Sequence, residues 1–176
     1  MVANNEQILV QRAQQGDRDA VGELWKMHTP KLFGYLINTL KDKTVAEDVL
    51  QNTWLKAIEA LPRFQEQGKG IAGLLFAIAK NECRGHWRKS GRETSFNPLL
   101  HDVSTDDHKN IEDVLQVEHI LAFLSEDDRE ILRLRYIADL SFADIAQALS
   151  ITSIAARVRL HRAQARAQKI LISQTV

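Results

Sequence analysis

The sequence predicts an all-α protein made of two small helical domains joined by a flexible linker. Its 176 residues include only three prolines and eight glycines, a balance that favours helix. Apolar residues recur at helical spacing through most of the chain, and no segment shows the alternation of a convincing strand. The period is lost once, in a polar stretch near the middle. We therefore expect a first domain at 1–92, an acidic linker at 93–112 and a second domain at 113–176.

The first domain is predicted to contain three amphipathic helices. The first has apolar positions Val21, Leu24, Trp25, His28, Leu32, Leu36 and Leu40. Pro30 lies inside it and is expected to kink or restart the helix. The second has Leu50, Trp54, Ile58 and Leu61, and Pro62 is expected to close it. The third, "IAGLLFAIAKNECRGHWRK", is expected to bury Leu75, Ile78 and Ala79 and to end strongly basic.

The linker is the acidic part of a chain that is neutral as a whole. Residues 96–118 carry six acidic side chains and one basic one, whereas the whole chain holds 23 of each. A metal site could be formed there by His101, His108, Asp102, Asp106 and Asp107. Histidines scattered in an acidic linker are usually just solvated, so we expect neither a metal nor a cofactor.

The second domain shows two helix-start signals and then a helix-turn-helix pattern. Ser125 with Asp128, and Ser141 with Asp144, have capping-box spacing. In "SFADIAQALSITSIAARVRLHRAQ" a short helix is followed by a tight turn, where Thr152 or Ser153 can cap the next helix. The inward stripe of that helix is predicted to be Ala156, Leu160, Ala163, Ala167 and Leu171. A recognition helix needs this division, because one face packs on its own domain while the other enters the major groove.

Two basic segments and one acidic-polar segment raise the question of partners. The last helix carries Arg157, Arg159, Arg162, Arg166 and Lys169 and no acid over residues 156–169. A solvated basic face would be the commoner reading of that helix alone, but the preceding short helix and turn favour DNA. The end of the third helix, "KNECRGHWRK", is also basic, and its Trp87 fits the core better than a stacking role. The segment "AEDVLQNTW" instead exposes acidic and amide side chains, which suggests a protein partner.

Other classes of protein find little support. The glycines of "QGKGIAG" lack phosphate-loop spacing, and no strand precedes them. The single cysteine, Cys83, excludes an internal disulfide and fits a small buried residue. No apolar run has the length of a signal peptide or a membrane span. We therefore expect a cytoplasmic protein that is not an enzyme.

Three segments in register resemble one known family. "AEDVLQNTWLKA", "FAIAKNECRGHWRK" and "SFADIAQALSITSIAARVRLHRAQ" are similar to segments of the extracytoplasmic-function (group IV) sigma factors of bacterial RNA polymerase, within the sigma-70 family. The resemblance runs from about residue 7 to residue 171. It implies that the first domain binds the polymerase clamp and the minus-ten promoter element. The second domain would bind the polymerase flap and the minus-35 element.

The resemblance also implies roles for individual residues. Polymerase binding is carried over to Glu47, Asp48, Gln51 and Asn52. Minus-ten binding is carried over to Asn81, which would hold a flipped base, and to Arg84, Arg88 and Lys89, which would follow the backbone. Minus-35 binding is carried over to Ser153, Arg157, Val158, His161 and Arg162. The chain departs from the family pattern at Leu74, Gly85, Ser150, Ala155 and Val158, and these departures bear on the promoter sequence.

Two alternatives stay open at the level of sequence. A dimeric helix-turn-helix regulator that works without polymerase would leave the acidic-polar segment as a mere bundle surface. A protein-interaction adaptor would leave the basic helices unexplained. The expected partners are RNA polymerase core, promoter DNA and an anti-sigma protein, which is the family's usual means of control.

Overall fold

The computed structural model describes residues 2–65, 70–91 and 121–174, and all regular elements in these ranges are helices. They are α1 Val2–Gln14, α2 Arg18–Leu40, α3 Lys43–Ala60, α4 Ile71–Lys89, α5 Glu126–Leu132, α6 Phe142–Leu149 and α7 Ser153–Gln174. A 3₁₀ turn at Leu61–Arg63 follows α3, and a π-helical turn at Arg133–Ile137 follows α5. The predicted linker and its histidines lie outside the described residues. No helix in the described part of the chain has the length and apolarity to cross a bilayer.

Helix α2 is the centre of the first half and contacts α1, α3 and α4. Asp17 caps its start, accepting from the backbone N–H of Asp19 at 2.9 Å and of Ala20 at 3.2 Å. Pro30 lies within the helix and does not end it. Leu24 and Leu32, on either side of that proline, are fully buried. Burial of this continuous stripe offsets the backbone hydrogen bond that proline removes.

Helix α3 differs from its predicted stripe at one position. Leu50 and Trp54 are buried as expected, but Ile58 is 43% exposed. The buried face turns instead through Thr53 and Ala57, which are completely covered. The apolar period had predicted that Ile58 is buried, which is wrong. The positions on the buried face are occupied instead by the polar Thr53 and the small Ala57.

The second half begins as its capping signals predicted. The Ser125 hydroxyl accepts from the backbone N–H of Asp128 at 3.3 Å, and Ser141 caps α6 in the same way at 3.2 Å from Asp144. Thr152, rather than Ser153, caps α7, accepting from the N–H of Ala155 at 3.1 Å. With Ser141 capping the first helix and Thr152 capping the second, α6 and α7 form the expected helix-turn-helix.

The two halves share one apolar cluster, a placement that the sequence did not predict. Helix α4 of the first half packs directly on α6 of the second. At the other end of the contact, the hydroxyl of Tyr35 in α2 donates to Glu130 Oε1 in α5 over 2.8 Å. The guanidinium of Arg133 donates to Asn38 Oδ1 over 3.1 Å.

Candidate polymerase and promoter interfaces

The acidic-polar face of α3 is fully available to a partner. Its four predicted members are all exposed: Glu47, Asp48, Gln51 and Asn52. They stand opposite the buried residues Val49, Leu50 and Trp54, which hold the helix against α2 and α4. The helix therefore has one face buried in the apolar core and one face exposed to solvent.

This face continues into two apolar side chains that the sequence analysis did not assign to it. Leu55 is 58% exposed and Ile58 is 43% exposed, one and two turns beyond Gln51 on the same side of α3. The buried core of a protein–protein interface is more apolar than the rest of the surface, so exposed leucine and isoleucine beside polar side chains are compatible with a partner-binding surface. The signal was present in the sequence, but the apolar period of α3 had placed Ile58 in the core.

The basic face of α4 is also exposed. Asn81, Arg84, Arg88 and Lys89 are accessible to solvent. Their helix is anchored by Leu75, Ala79 and Cys83, which are at most 1% exposed. Burial raises the pKa of the Cys83 thiol to about 12, so the thiol stays protonated near neutral pH. Trp87 is half-buried and packs against the core, as expected.

The start of α4 is held by a residue far away in sequence. Gly70, at the position before the helix, has no side chain with which to cap it. Glu6 of α1 takes this role, because its Oε1 accepts from the backbone N–H of Ile71 at 3.2 Å. The same oxygen lies 3.5 Å from Nε2 of the buried His28. His28 and this backbone bond lower the pKa of Glu6, so the cap is charged at neutral pH.

The recognition helix α7 divides into the two predicted faces over its first three turns. Ala156, Leu160 and Ala163 are buried. The exposed set is Ser153, Arg157, Val158, His161 and Arg162. The inward stripe weakens beyond Ala163, and Leu171 is 37% exposed. The five predicted minus-35 residues therefore lie together on the outer surface of the helix-turn-helix.

Two arginines of the basic cluster have specific partners within the protein. The guanidinium of Arg157 lies 5.2 Å from the ring centroid of Phe142 at the start of α6, within cation–π range. Arg166 instead makes two hydrogen bonds of 2.6 Å to the carboxylate of Asp128 in α5. Arg157 is held at the exposed face, whereas Arg166 ties α7 to α5. Within the basic cluster, Arg157 is therefore exposed, whereas Arg166 belongs to an internal ion pair.

Metal ligation has no support in the described part of the chain, where no three His, Cys, Asp or Glu side chains converge. The histidines and aspartates of the linker, which carried the metal hypothesis, fall outside those ranges.

Two known domain families match the chain. Sigma-70 region 2 matches residues 24–93 and Sigma-70 region 4 matches residues 115–166. These matches contain the exposed faces of α3 and α4 and that of α7, respectively.

Whole-chain comparisons point to the same family. The chain is 30% identical to the ECF RNA polymerase sigma factor SigD of Mycobacterium tuberculosis, an alignment that covers 94% of this chain and 83% of SigD. It is 28% identical to the RNA polymerase sigma factor CarQ of Myxococcus xanthus, over 92% of this chain and 95% of CarQ.

Solved structures show the same arrangement of helices. CnrH, in complex with the cytosolic domain of CnrY, superposes with a TM-score of 0.72 at 25% identity, covering 96% of this chain and 98% of CnrH. The sigma factor RpoE of Bartonella quintana, in complex with the anti-sigma factor NepR, superposes with a TM-score of 0.63 at 26% identity. The superposition covers 86% of this chain and 96% of RpoE. With both domain matches and a relative aligned over nearly its whole length, the chain belongs to the extracytoplasmic-function sigma factors of the sigma-70 family.

Proposed function

We propose that this chain directs RNA polymerase core to specific promoters through three separate surfaces. The exposed face of α3, with Asp48 and Gln51 at its centre, binds the polymerase clamp. The basic face of α4 contacts the minus-ten element, and the outer face of α7 reads the minus-35 element. The observation that carries this assignment is that every side chain in the three sets is exposed while its own helix is anchored by buried residues.

The residue types suit these roles. Arginine can pair with guanine edges or with phosphate, and each phosphate contact releases counterions. Val158 offers a methyl-sized contact to thymine instead of a hydrogen bond. Asn81 lies one turn before Arg84 on the same face of α4, where an amide can hold a base that has left the stack. The chain itself performs no covalent chemistry in this mechanism.

The surface on α3 is larger than the sequence suggested. Leu55 and Ile58 extend it by two turns and supply apolar area that the acidic and amide side chains lack. Burial of apolar area is favourable, whereas exposed charges at the rim of an interface contribute little. We include both residues in the polymerase-binding surface.

Control by an anti-sigma protein completes the proposal. The sigma factor RpoE, to which the chain is similar in structure, was solved with its anti-sigma factor NepR. This chain has exposed DNA-binding and polymerase-binding faces that such a protein could cover. The functional units are the three segments expected from sequence, 1–92, 93–112 and 113–176, and they act in the cytoplasm with the polymerase.

Run-off transcription tests the function directly. Purified polymerase core, this chain and a pool of bacterial promoter fragments should yield promoter-specific transcripts that vanish when the chain is omitted. The transcript starts would also reveal the promoter consensus. Silence from a folded chain that does not bind core in gel filtration would instead point to a helix-turn-helix regulator, to be recognised by its dimer mass and by symmetric DNA half-sites.

Two single substitutions test the division of labour. Asp48→Ala should weaken core binding and spare promoter contacts, because Asp48 lies on α3, whereas the basic faces lie on α4 and α7. Arg162→Ala should weaken binding of the assembled polymerase to the promoter and spare core binding. An equal loss of core affinity in both variants would contradict the assignment of separate surfaces.

A further inference from the structure

We propose that Ile154 and Val158 form an apolar ridge on the recognition helix α7, and that this ridge selects T·A base pairs in the minus-35 element through the thymine methyl groups. The inference rests on the proposed role of α7 in promoter binding. It adds Ile154 to the residues assigned to that face, and it names the base chemistry that the face selects.

The two side chains of the ridge are unusually open to solvent. Ile154 is 76% exposed, more than any other large apolar residue in the part of the chain that the structure describes, and Val158 is 42% exposed. A single exposed isoleucine on a protein surface needs no special explanation. These two residues, however, are four positions apart on one helix, so their side chains are neighbours on the same face. They form one apolar patch on an otherwise strongly basic helix.

The apolar ridge lies on the side of α7 that faces away from the protein. Ala156 and Leu160 are buried, and each is two residues from Val158, a rotation of about 200° around the helix axis. Val158 therefore points almost directly outward. Ile154 is the second residue of α7, which begins at Ser153. The N-terminal residues of a recognition helix are the ones that contact base edges.

Arginines on both sides of the apolar ridge indicate a polyanionic partner. Arg157 and Arg162 are rotated from Val158 by about 100° in one direction and about 40° in the other. Both arginines are exposed, and α7 contains no acidic residue. In a major groove the base edges lie between two rows of phosphates. The order basic, apolar, basic across α7 matches that arrangement.

Thymine is the base whose chemistry fits the ridge. Its C5-methyl group marks a T·A pair in the major groove, where the other bases are marked by hydrogen-bond donors and acceptors. Neither Ile154 nor Val158 has a side-chain donor or acceptor. A G·C pair against the ridge would therefore have its polar edge groups desolvated without a partner, which is unfavourable. The ridge favours T·A pairs by apolar contact and disfavours G·C pairs by desolvation.

The shape of the two side chains also suits this contact. Isoleucine and valine have one strongly preferred χ1 rotamer in a helix, so they lose little side-chain entropy when they dock. Four residues of helix rise about 6 Å, which corresponds to about two base steps of about 3.4 Å each. We therefore expect the two selected T·A pairs to lie within about two base steps of each other.

Selection of the minus-35 element gives the first readout. Polymerase core with the full chain is bound to promoter fragments that have a randomised minus-35 region, and the enriched fragments are sequenced. The native chain should enrich two T·A pairs there, and Ile154→Ala should lose the enrichment at one of them. Ile172→Ala is the matched control and should keep both, because Ile172 is 59% exposed near the other end of the same helix.

Replacement of thymine by deoxyuridine tests the methyl contact itself, because deoxyuridine pairs in the same way and lacks only the C5-methyl group. In the most enriched fragment, each replacement should weaken binding by the native chain with core about fourfold, as expected for one buried methyl group. With Ile154→Ala, replacement of the thymine that this residue contacts should change the affinity by less than about twofold. Alanine favours helix more than isoleucine does, so the loss cannot come from unwinding of α7.

Three results would overturn the proposal. The first is an enriched minus-35 element without T·A pairs, and the second is an equal effect of deoxyuridine on the native chain and on Ile154→Ala. The third is a loss of core binding by Ile154→Ala at unchanged promoter affinity, which would show that the ridge contacts protein instead of DNA.

The proposal and the proposed function fail in different ways. A native chain that yields promoter-specific transcripts but does not distinguish thymine from deoxyuridine would rule out the role of the ridge and leave a sigma factor. Absence of transcripts and of core binding would rule out the function. The same deoxyuridine comparison, made on duplexes selected by the free chain, would then still decide whether Ile154 contacts thymine.

Discussion

Asp128 at the start of α5 and Arg166 in the middle of α7 are joined by two hydrogen bonds of 2.6 Å each. Asp128 is 6% exposed, and a paired, two-pronged contact of this kind is among the stronger side-chain interactions. It joins residues 38 positions apart and fixes the recognition helix to the rest of its domain. Arg166 is therefore occupied, although it belongs to the most basic run of the sequence.

Arg166 and Arg162 should behave as opposites when replaced. Arg166→Ala should lower the melting temperature, because Asp128 loses its partner while it stays buried. Arg162→Ala should leave the melting temperature nearly unchanged, as expected for an exposed side chain. Promoter binding by the assembled polymerase should weaken with Arg162→Ala, and the salt slope of log K should fall by about 1 for a lost phosphate contact. Melting curves measure the stability of each variant, and promoter binding at 25 °C over a range of salt concentrations measures the affinity and the salt slope.

One outcome would contradict the roles assigned to both arginines. If Arg166→Ala weakened promoter binding at least as much as Arg162→Ala while leaving the melting temperature unchanged, Arg166 would belong to the DNA-binding face instead.

The stability from Asp128 should depend on pH. Hydrogen bonding to Arg166 lowers the pKa of Asp128 in the folded protein below its usual value. Its contribution is therefore complete above the unfolded pKa, near 3.8, and is lost as the pH falls through the lower folded pKa. The melting temperature of Asp128→Asn should lie below that of the native chain by a constant gap from pH 5 to 8. The gap should close toward pH 3.

Asp127→Asn is the matched control for this experiment. Asp127 lies in the same first turn of α5 but is exposed, so both variants lose the same favourable charge near the helix N-terminus. A gap for Asp127→Asn as large as that for Asp128→Asn would mean that the helix terminus, and not the contact with Arg166, carries the effect.

The sequence predicted what is decided locally. Ser125, Ser141 and Thr152 were recognised as caps because a cap depends on residues two or three positions away. Most of the α2 stripe, and the α7 stripe as far as Ala163, followed from apolar period, whereas Trp25 and Leu171 are each 37% exposed and were wrongly included. The fold class and the family also followed from the sequence, since motifs on separate helices occurred in the expected order.

The parts that were missed depend on distant partners or on packing of small residues. Glu6 caps a helix 65 residues further on, and no local pattern marks it. The approach of α6 to α4 depends on the missing side chain of Gly73, which reads in sequence only as a weak spot in a helix. Thr53 and Ala57 mark the buried face of α3, but a threonine and an alanine contribute little to an apolar pattern. The pattern therefore followed the more hydrophobic Ile58 and placed it in the core.

Removal of the Glu6 cap should loosen the start of α4. Glu6→Ala should destabilise the protein by about 1 kcal/mol, the usual cost of a lost N-cap, and speed hydrogen exchange at the Ile71 amide. Glu6→Gln keeps an acceptor and should cost less. Because the pKa of Glu6 is lowered in the fold, the charge-dependent part of its contribution is present at neutral pH and lost as the pH falls through that folded pKa.

Exchange at Ile71 separates this local effect from a global one. Glu23→Gln removes an exposed carboxylate from α2 and should leave that amide unchanged. Equal exchange rates in Glu6→Ala and the native chain would show that the bond to Ile71 does not hold the helix start.

Leu55→Gln should weaken core binding about tenfold, equivalent to about 1.4 kcal/mol. The side chain is 58% exposed, so the melting temperature should stay within a degree or two of native. Ile8→Gln is the control, because Ile8 is 48% exposed on α1, outside the proposed polymerase surface. Fluorescence anisotropy with purified core measures the affinities. Equal affinity for native chain and Leu55→Gln would confine the surface to its polar residues.

Phe142→Leu should weaken minus-35 binding through Arg157. The ring lies 5.2 Å from the Arg157 guanidinium and 5.5 Å from that of Arg135. Leucine keeps most of the apolar volume but removes the cation–π contact, which contributes about 0.5–1 kcal/mol at exposed sites. Affinity of the assembled polymerase for a minus-35-dependent promoter should fall roughly two- to fivefold. The loss reflects an Arg157 side chain that is no longer held at the exposed face.

A double-mutant cycle shows whether Phe142 acts through Arg157. In an Arg157→Ala background, Phe142→Leu should have almost no further effect on promoter affinity, since the side chain that it positions is gone. If Phe142→Leu weakened binding by the same factor in both backgrounds, the ring would act through the packing of α6 or through Arg135. The cycle uses one promoter fragment at one salt concentration, because phosphate contacts make absolute affinities depend strongly on salt.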